Sequence, residues 1–308
     1  MLWPNEKEFA FTIFDDTDNG TIENTKPVYD LLKELNLRTT KSVWVLPGRG
    51  RFKGQTLSDP VYLEWIKGLQ EQGFEIALHN IGDGAFSRDE IIAGLEMFKT
   101  LIGHQPRIHT NHSGNPDNIY WLKDRFDWPY NVLYAIYCKL KKRPHTSSLG
   151  SEPDSPYFWG DICKTNIDYM RNYTCRNLNT LRFNPSMPYL DSTKEAYANR
   201  WFSSSDGHTV EEFCDLLRPE SLERLRAERG ACIMYTHFAS GFVDAQGKLL
   251  PLFRERMEHL ASLNGYFEPT STILDHLKSQ QEPALAHTRP STGKWLVDRV
   301  IKKMRYGR

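Results

Sequence analysis

The chain has 308 residues, with 39 basic side chains against 39 acidic ones and a formal net charge of zero. This balance offers no electrostatic footprint for nucleic acid, and no stretch approaches the roughly 20 apolar residues of a membrane span. Cys138, Cys163, Cys175, Cys214 and Cys232 show no Cys-x-x-Cys spacing, which predicts reduced thiols rather than a disulfide frame or zinc ribbon.

Met1 to Glu8 carry no signal pattern and run directly into Phe9-Ala10-Phe11-Thr12-Ile13-Phe14, so a cytoplasmic protein is expected. This β-prone run ends in Asp15-Asp16-Thr17-Asp18-Asn19-Gly20. Adjacent carboxylates repel, and a strand that delivers two of them to the mouth of a fold suits one to a metal and one to a proton. A solvated turn is the alternative, since Asp, Thr, Asn and Gly are all turn residues.

Lys26-Pro27-Val28 opens a helix with Val28, Leu31, Leu32 and Leu35 on one stripe. A strand follows at 42–46, a helix at 62–69 broken by Gly73, a strand at 74–79 and a helix at 88–102. Arg107-Ile108-His109-Thr110-Asn111 reads as a short strand and 117–126 as a helix. The stretch 131–206 is aromatic-rich and irregular, with strands whose register is not set by pattern. Helices at 210–217 and 219–228, a strand at 231–237, and helices at 248–263 and 271–280 complete the series. Alternation of this kind predicts parallel strands joined by crossover helices. His79, Asp83, Arg107, His109, Asn111, His112 and His237 then fall at or near strand ends, where parallel barrels place their chemistry.

The tail from Glu282 differs in texture. Trp295, Leu296, Val300 and Met304 share one broad helical side, with Arg299, Lys302, Lys303 and Arg305 around it. Such a helix either docks on its own domain or lies on an anionic membrane as a peripheral contact. The expected division is a barrel domain over residues 1–281 and a basic tail over 282–308.

At these residues the chain resembles the polysaccharide deacetylases, the NodB-homology carbohydrate esterases of family four. Phe11-Thr12-Ile13-Phe14-Asp15-Asp16 is similar to that family's Thr-Phe-Asp-Asp motif. Gly73-Phe74-Glu75-Ile76-Ala77-Leu78-His79 is similar to its second, Arg107 to the opening of its third, and Ile233-Met234-Tyr235-Thr236-His237 to its closing motif. The resemblance spans roughly residues 8 to 278. It implies a distorted (β/α)7-type barrel and a metal-dependent hydrolase removing an N-acetyl or other acyl group from an amino sugar.

Carried over by position, Asp15 would be the general base, steadied by Arg107, and His237 the general acid. Asp16 and His79 would hold a divalent metal, zinc being the expected ion. Asp83 stands where the family has a second His, giving an Asp, His, Asp set that also suits harder divalent cations. His109 and His112 are extra imidazoles that would join the metal shell, bind substrate or pack. His109 and Asn111 count among the candidate substrate contacts. Trp159-Gly160-Asp161 loosely matches the groove-lining fourth motif, making Trp159 and Asp161 substrate candidates. Tyr157, Phe158, Tyr189, Trp201 and Phe202 are further groove candidates. A catalytically silent carbohydrate-binding relative, an amidase on a small non-sugar substrate and an unrelated barrel scaffold are the competing readings.

Overall fold

β1 (Phe9–Asp15) is buried along its whole length, so both faces of a strictly alternating strand must be covered. The computed structural model describes residues 2–143 and 147–307, and it covers the two faces by rolling the sheet into a barrel. After β1 come α1 (Ile22–Glu34), β2 (Thr40–Val43), α2 (Pro60–Glu71), β3 (Glu75–His79), α3 (Arg88–Ile102) and β4 (Ile108–Thr110). Then follow α4 (Tyr130–Leu140), α5 (Gly160–Asn166), β5 (Tyr169–Cys175), α6 (Thr180–Phe183), β6 (Arg200–Asp206), α7 (Val210–Leu216), α8 (Pro219–Ala227) and β7 (Ala231–Thr236). The series ends with α9 (Pro251–Ala261), β8 (Gly265–Tyr266), α10 (Thr270–Ser279) and α11 (Thr292–Tyr306).

Strands β1 to β7 pair in sequence order, all parallel, and the ring closes where β1 meets both β7 and β2. Closure onto β2 is partial. Only Phe14↔Thr40 and Asp15↔Lys41 pair there, while β8 takes the other end of the same edge through Phe9↔Gly265 and Ala10↔Tyr266. The barrel is therefore a distorted seven-stranded one, wedged open at the N-terminal end of its β1–β2 seam.

Alternation divides the core in two. Phe9, Phe11 and Ile13 join Val28, Leu31, Leu32 and the other helix residues in the layer outside the barrel. Ala10 and Phe14 point inward with Ala77, Ile108, Tyr169, Phe202 and Ile233, sealed below by Trp3 and by Ile273, Leu274 and Leu277 of α10. Each fully buried Phe or Ile stabilises the fold by about 1.5–3 kcal/mol relative to exposure. Local caps agree with this arrangement: Thr21 and Asn24 form a capping box on α1, Asp59 caps α2, and Ser87 and Glu90 box α3.

Two sequence expectations are corrected. The segment 117–126 holds only a short 3-10 turn at Leu122–Arg125. Asp117 resembles a helix cap after Pro116, but its carboxylate accepts from Asn80 Nδ2, Asn111 Nδ2 and the Phe86 amide, tying three loops together. The helix of the tail does form, but rotated from the expected face. Trp295, Arg299 and Lys302 turn inward onto the barrel rim, while Leu296, Val300 and Met304 are exposed.

Candidate active site

Parity along the strands decides which side chains reach the barrel mouth. Phe9, Phe11, Ile13 and Asp15 share the outward face of β1, so Asp15 leaves the barrel rather than entering it. Its carboxylate accepts from Lys41 Nζ at 2.8 Å, Tyr29 Oη at 2.9 Å and the Phe238 amide at 2.9 Å, all in a fully buried setting. Burial would lower the Lys41 ammonium, but Asp15 raises it. The expected base is thus a buried tie between β1, β2, α1 and the loop after β7.

The next residue points inward. Asp16 is gripped bidentately by Arg171 of β5, with Nη1 3.0 Å from Oδ1. Burial alone would raise its carboxyl, but Arg171 and then His79 outweigh burial and hold it well below the usual carboxylate range. Arg171 is fixed in turn over the rings of Phe14 and Tyr235, 5.1 and 4.5 Å from their centroids.

Two residues further, Asp18 is the centre of a cluster. Its Oδ2 lies 2.8 Å from His112 Nε2 and 3.3 Å from His237 Nε2, and its Oδ1 lies 3.8 Å from His79 Nε2. His79 Nε2 is also 3.3 Å from Asp16 Oδ2. Trp44 stands edge-on to both His79 and His112. Burial raises the Asp18 carboxyl, yet hydrogen bonds from His112 and His237 hold it well below its ordinary value. Burial lowers the His237 imidazole, but Asp18 reverses this and raises it.

Asp83 is one step removed from this centre. Its Oδ1 is 2.7 Å from His112 Nδ1, and its Oδ2 accepts the Phe52 amide at 2.7 Å. Gly50 approaches so closely that a Cβ there would strike the Asp83 carboxylate. With Asp18 on one ring nitrogen and Asp83 on the other, His112 is raised to about 9 although burial opposes it.

The ligand-type atoms of Asp18, His79 and His112 lie within 4.8 Å of one another. Asp18 Oδ1 and His79 Nε2 are buried without a hydrogen-bond partner. Buried polar atoms are normally paired, so two unpaired atoms in one donor cluster fit a bound cation. One carboxylate and two imidazoles are also a zinc-type donor set.

Of the remaining candidates, Asn111 borders the cavity of the site and the others are dispersed. Arg107 precedes β4 and so sits at the opposite end of the barrel, paired with Asp168 and Asp275 and not with Asp15. His109 is one residue out of phase with the mouth. It packs edge-on against Trp159 in the outer layer, neither ring nitrogen is partnered, and burial lowers it to about 3. Asn111 spends its side chain on Asp117, Asn115 and the His112 amide. Trp159 is buried and donates to the Asp117 carbonyl, and Asp161 pairs with Arg88 of α3. Tyr189, Trp201 and Phe202 are core.

The site opens instead into a cavity of about 250 Å³ bordered by Asp16, His112, Arg171 and Tyr235, and by Trp295, Arg299 and Lys302 of α11. Trp121, Arg125 and Trp295 are shared with an adjoining groove of about 480 Å³ that also touches Phe126 and Tyr134. Sequence reading passed over Asp18, Arg171 and these groove aromatics, and named His112 without fixing its place. The alternation of β1 was the available signal for Asp16 and Asp18.

Among solved structures, a probable polysaccharide deacetylase from Pseudomonas aeruginosa PAO1 superposes with a TM-score of 0.53 at 10% identity, covering 90% of this chain and 93% of that one. The fold is that of the polysaccharide deacetylases. A Puue allantoinase shares it, with a TM-score of 0.55, 10% identity and the same coverage of 90% and 93%. No protein-family model matches the chain, and no curated protein sequence matches it.

Proposed function

We propose that the protein is a metal-dependent hydrolase that removes an acyl group, acetyl in the first instance, from the nitrogen of an amino sugar. The observation that carries this reading is the cluster at the barrel mouth, where a three-residue donor set lies beside the Arg171-paired carboxylate of Asp16 and the imidazole of His237. Asp18, His79 and His112 would hold the cation, and Asp83 would fix the His112 ring, as carboxylates behind ligating imidazoles do. When bound, a divalent cation supplies Lewis acidity at the acyl carbonyl and a more acidic water.

The protein's own groups supply the proton traffic. Asp16, kept ionised by Arg171, accepts the proton of the attacking water. His237, whose proton is stabilised by Asp18, returns one to the departing nitrogen, which would otherwise leave as a poor amide anion. Tyr235 and Phe14 brace Arg171, so the base keeps its orientation through the cycle. The groove between α4 and α11 is bordered by Trp121, Phe126, Tyr134 and Trp295, an aromatic lining that suits a glycan better than a smaller amide. The names borne by the fold's neighbours, deacetylase and allantoinase, are compatible with C–N cleavage on this scaffold.

The test is metal analysis of the purified protein, followed by acetate release from N-acetylated amino-sugar oligomers with and without chelator. Stoichiometric divalent metal and chelator-sensitive acetate release are expected. Protein that retains no metal and releases no acetate would overturn the reading. Turnover of small ureides but not of sugars would move the substrate to the non-sugar class.

A further inference from the structure

α11 is amphipathic in the reverse sense. Its inner face carries Arg299 and Lys302, ion-paired to Asp206 at 2.7 and 3.0 Å, while Leu296, Val297, Val300, Ile301 and Met304 face outward. α4 repeats the pattern. Cys138 is buried and Tyr134 half-buried, while Val132, Leu133, Ile136, Tyr137 and Leu140 are exposed. The two exposed sets have the same spacing, i, i+1, i+4, i+5 and i+8, which is one continuous helical face. With Trp128, 79% exposed just before α4, these helices hold eleven of the fifteen exposed large hydrophobic side chains among the described residues.

The helices meet at their N-terminal ends, where the Asp127 amide donates to Thr292 Oγ1 at 3.3 Å and Phe126 packs on Trp295 with ring centroids 5.6 Å apart. The aromatic groove that adjoins the cavity of the site runs between them. Exposed apolar faces of this extent mark an interaction surface.

The charges around this surface say what covers it. Lys139, Lys141, Lys142 and Arg143 are exposed at the end of α4, and Lys294, Lys303 and Arg305 are exposed on α11. Residues 128–143 contain no acid, and the one acid in 292–307, Asp298, is turned inward to accept the Arg176 amide. Six exposed bases, and a seventh, Arg305, that is paired with Asp215, thus surround these apolar faces, with no exposed acid in residues 128–143 or 292–307. Two copies docked through this face would oppose their like charges. An anionic lipid surface satisfies both features, since apolar side chains enter the acyl boundary while lysines and arginines meet the headgroups. No helix among the described residues is long and apolar enough to cross a membrane.

We propose that the faces of α4 and α11 form a peripheral docking surface for an anionic lipid bilayer, holding the mouth of the barrel against it. This docking is independent of the chemistry assigned to the site.

The test is co-sedimentation of the full chain with phosphatidylcholine vesicles, with and without phosphatidylglycerol, at roughly 0.1 M salt, where the screening length is still ~10 Å. Binding is expected only with phosphatidylglycerol and should weaken as salt is raised. V297E/I301E and L133E/I136E, all at solvent-exposed positions, should each weaken partition about tenfold or more. K142E/K303E leaves the apolar face untouched and should lose the preference for phosphatidylglycerol. Absence of binding to either vesicle, or undiminished binding by all three variants, would overturn the proposal. Sedimentation analysis showing a dimer that V297E/I301E dissociates would overturn it too, assigning the face to a second copy.

Discussion

Replacing Asp206 by Asn tests whether α11 is held by charge. Asp206 closes β6 with its side chain about 1% exposed, and its partners Arg299 and Lys302 are 28% and 10% exposed. Burial would raise its carboxyl above the ordinary 3.8, yet Arg299 and Lys302 bring it down to about 2. A depression of nearly two pH units corresponds to roughly 2.5 kcal/mol of coupling. Removing one partner of a buried pair costs about 3–5 kcal/mol, and the partly exposed Arg299 places Asp206→Asn at about 3 kcal/mol. If that loss falls on docking alone, amide exchange over 292–306 should accelerate about 100-fold. If docking and barrel unfold together, Tm should fall by about 4 °C. The pH dependence has a definite sign, because a depressed carboxyl contributes stability above its unfolded value and loses it as pH falls through its folded one. Wild-type protection of α11 should therefore hold at pH 5 and decline between about 4 and 2, whereas the Asn variant should lack the share of that decline owed to Asp206 and keep only that owed to Asp215, whose lowered carboxyl pairs with Arg305 and Tyr306. Exchange over 292–306 within threefold of wild type, with an unchanged Tm, would refute the reasoning.

Asp18→Ala and His112→Ala should abolish retention of a divalent ion, whereas Asp83→Asn should weaken it by about 10–100-fold, as read by metal titration calorimetry. Asp16→Asn should keep metal but lose roughly 100-fold or more in turnover, and it should lower Tm as well because it strands buried Arg171. Asp15→Asn should likewise cost about 3–5 kcal/mol, by stranding buried Lys41, but spare turnover in the folded protein; an Asp15→Asn protein that folds yet loses as much turnover as Asp16→Asn would break the distinction. His237→Ala should slow an amide far more than an activated ester, whose leaving group needs no proton. Arg107→Ala should leave turnover unchanged and cost about 1 kcal/mol or less, its pairs with Asp168 and Asp275 being 40–51% exposed.

The barrel was legible wherever apolar residues mark a strand. β1, β3 and β7 bury Phe, Ile, Leu and Met, and the helices between them carry clear stripes. β5 and β6 were not legible, because Tyr169-Met170-Arg171-Asn172-Tyr173-Thr174-Cys175 and Arg200-Trp201-Phe202-Ser203-Ser204-Ser205-Asp206 put polar side chains at buried positions. Of these, Arg171, Asn172, Thr174 and Asp206 line the cavity at the mouth, so the polarity that suits them to the site also erases the strand signal. A shift in the β5–β6 register between Arg171 and Thr174 removes what periodicity is left. The arginine expected beside the catalytic carboxylate was placed at Arg107 by resemblance to the family's third motif, while the one that grips Asp16 lies in the strand that was not legible.

The difference between Asp15 and Asp16 is a single residue, and in a strand one residue exchanges the two faces. Counting from the buried Phe9, Phe11 and Ile13, Asp15 must follow them outward, and Asp16 and Asp18 return to the interior. The same count along β3 takes Ala77 inward, Leu78 outward and His79 inward. Along β7 it takes Ile233 inward, Met234 outward, and Tyr235 and His237 inward. β5 contributes Tyr169 and Arg171 to that face. β1, β3, β5 and β7, the last of which adjoins β1 in the ring, thus aim a carboxylate, an imidazole, a guanidinium and a second imidazole into one layer, much as parallel barrels stack interior side chains. His112 enters from the loop past β4, and so needs Asp83 and Gly50 to hold its ring where no strand does. The alternation that buries the barrel's phenylalanines is what separates a structural aspartate from a candidate catalytic one beside it.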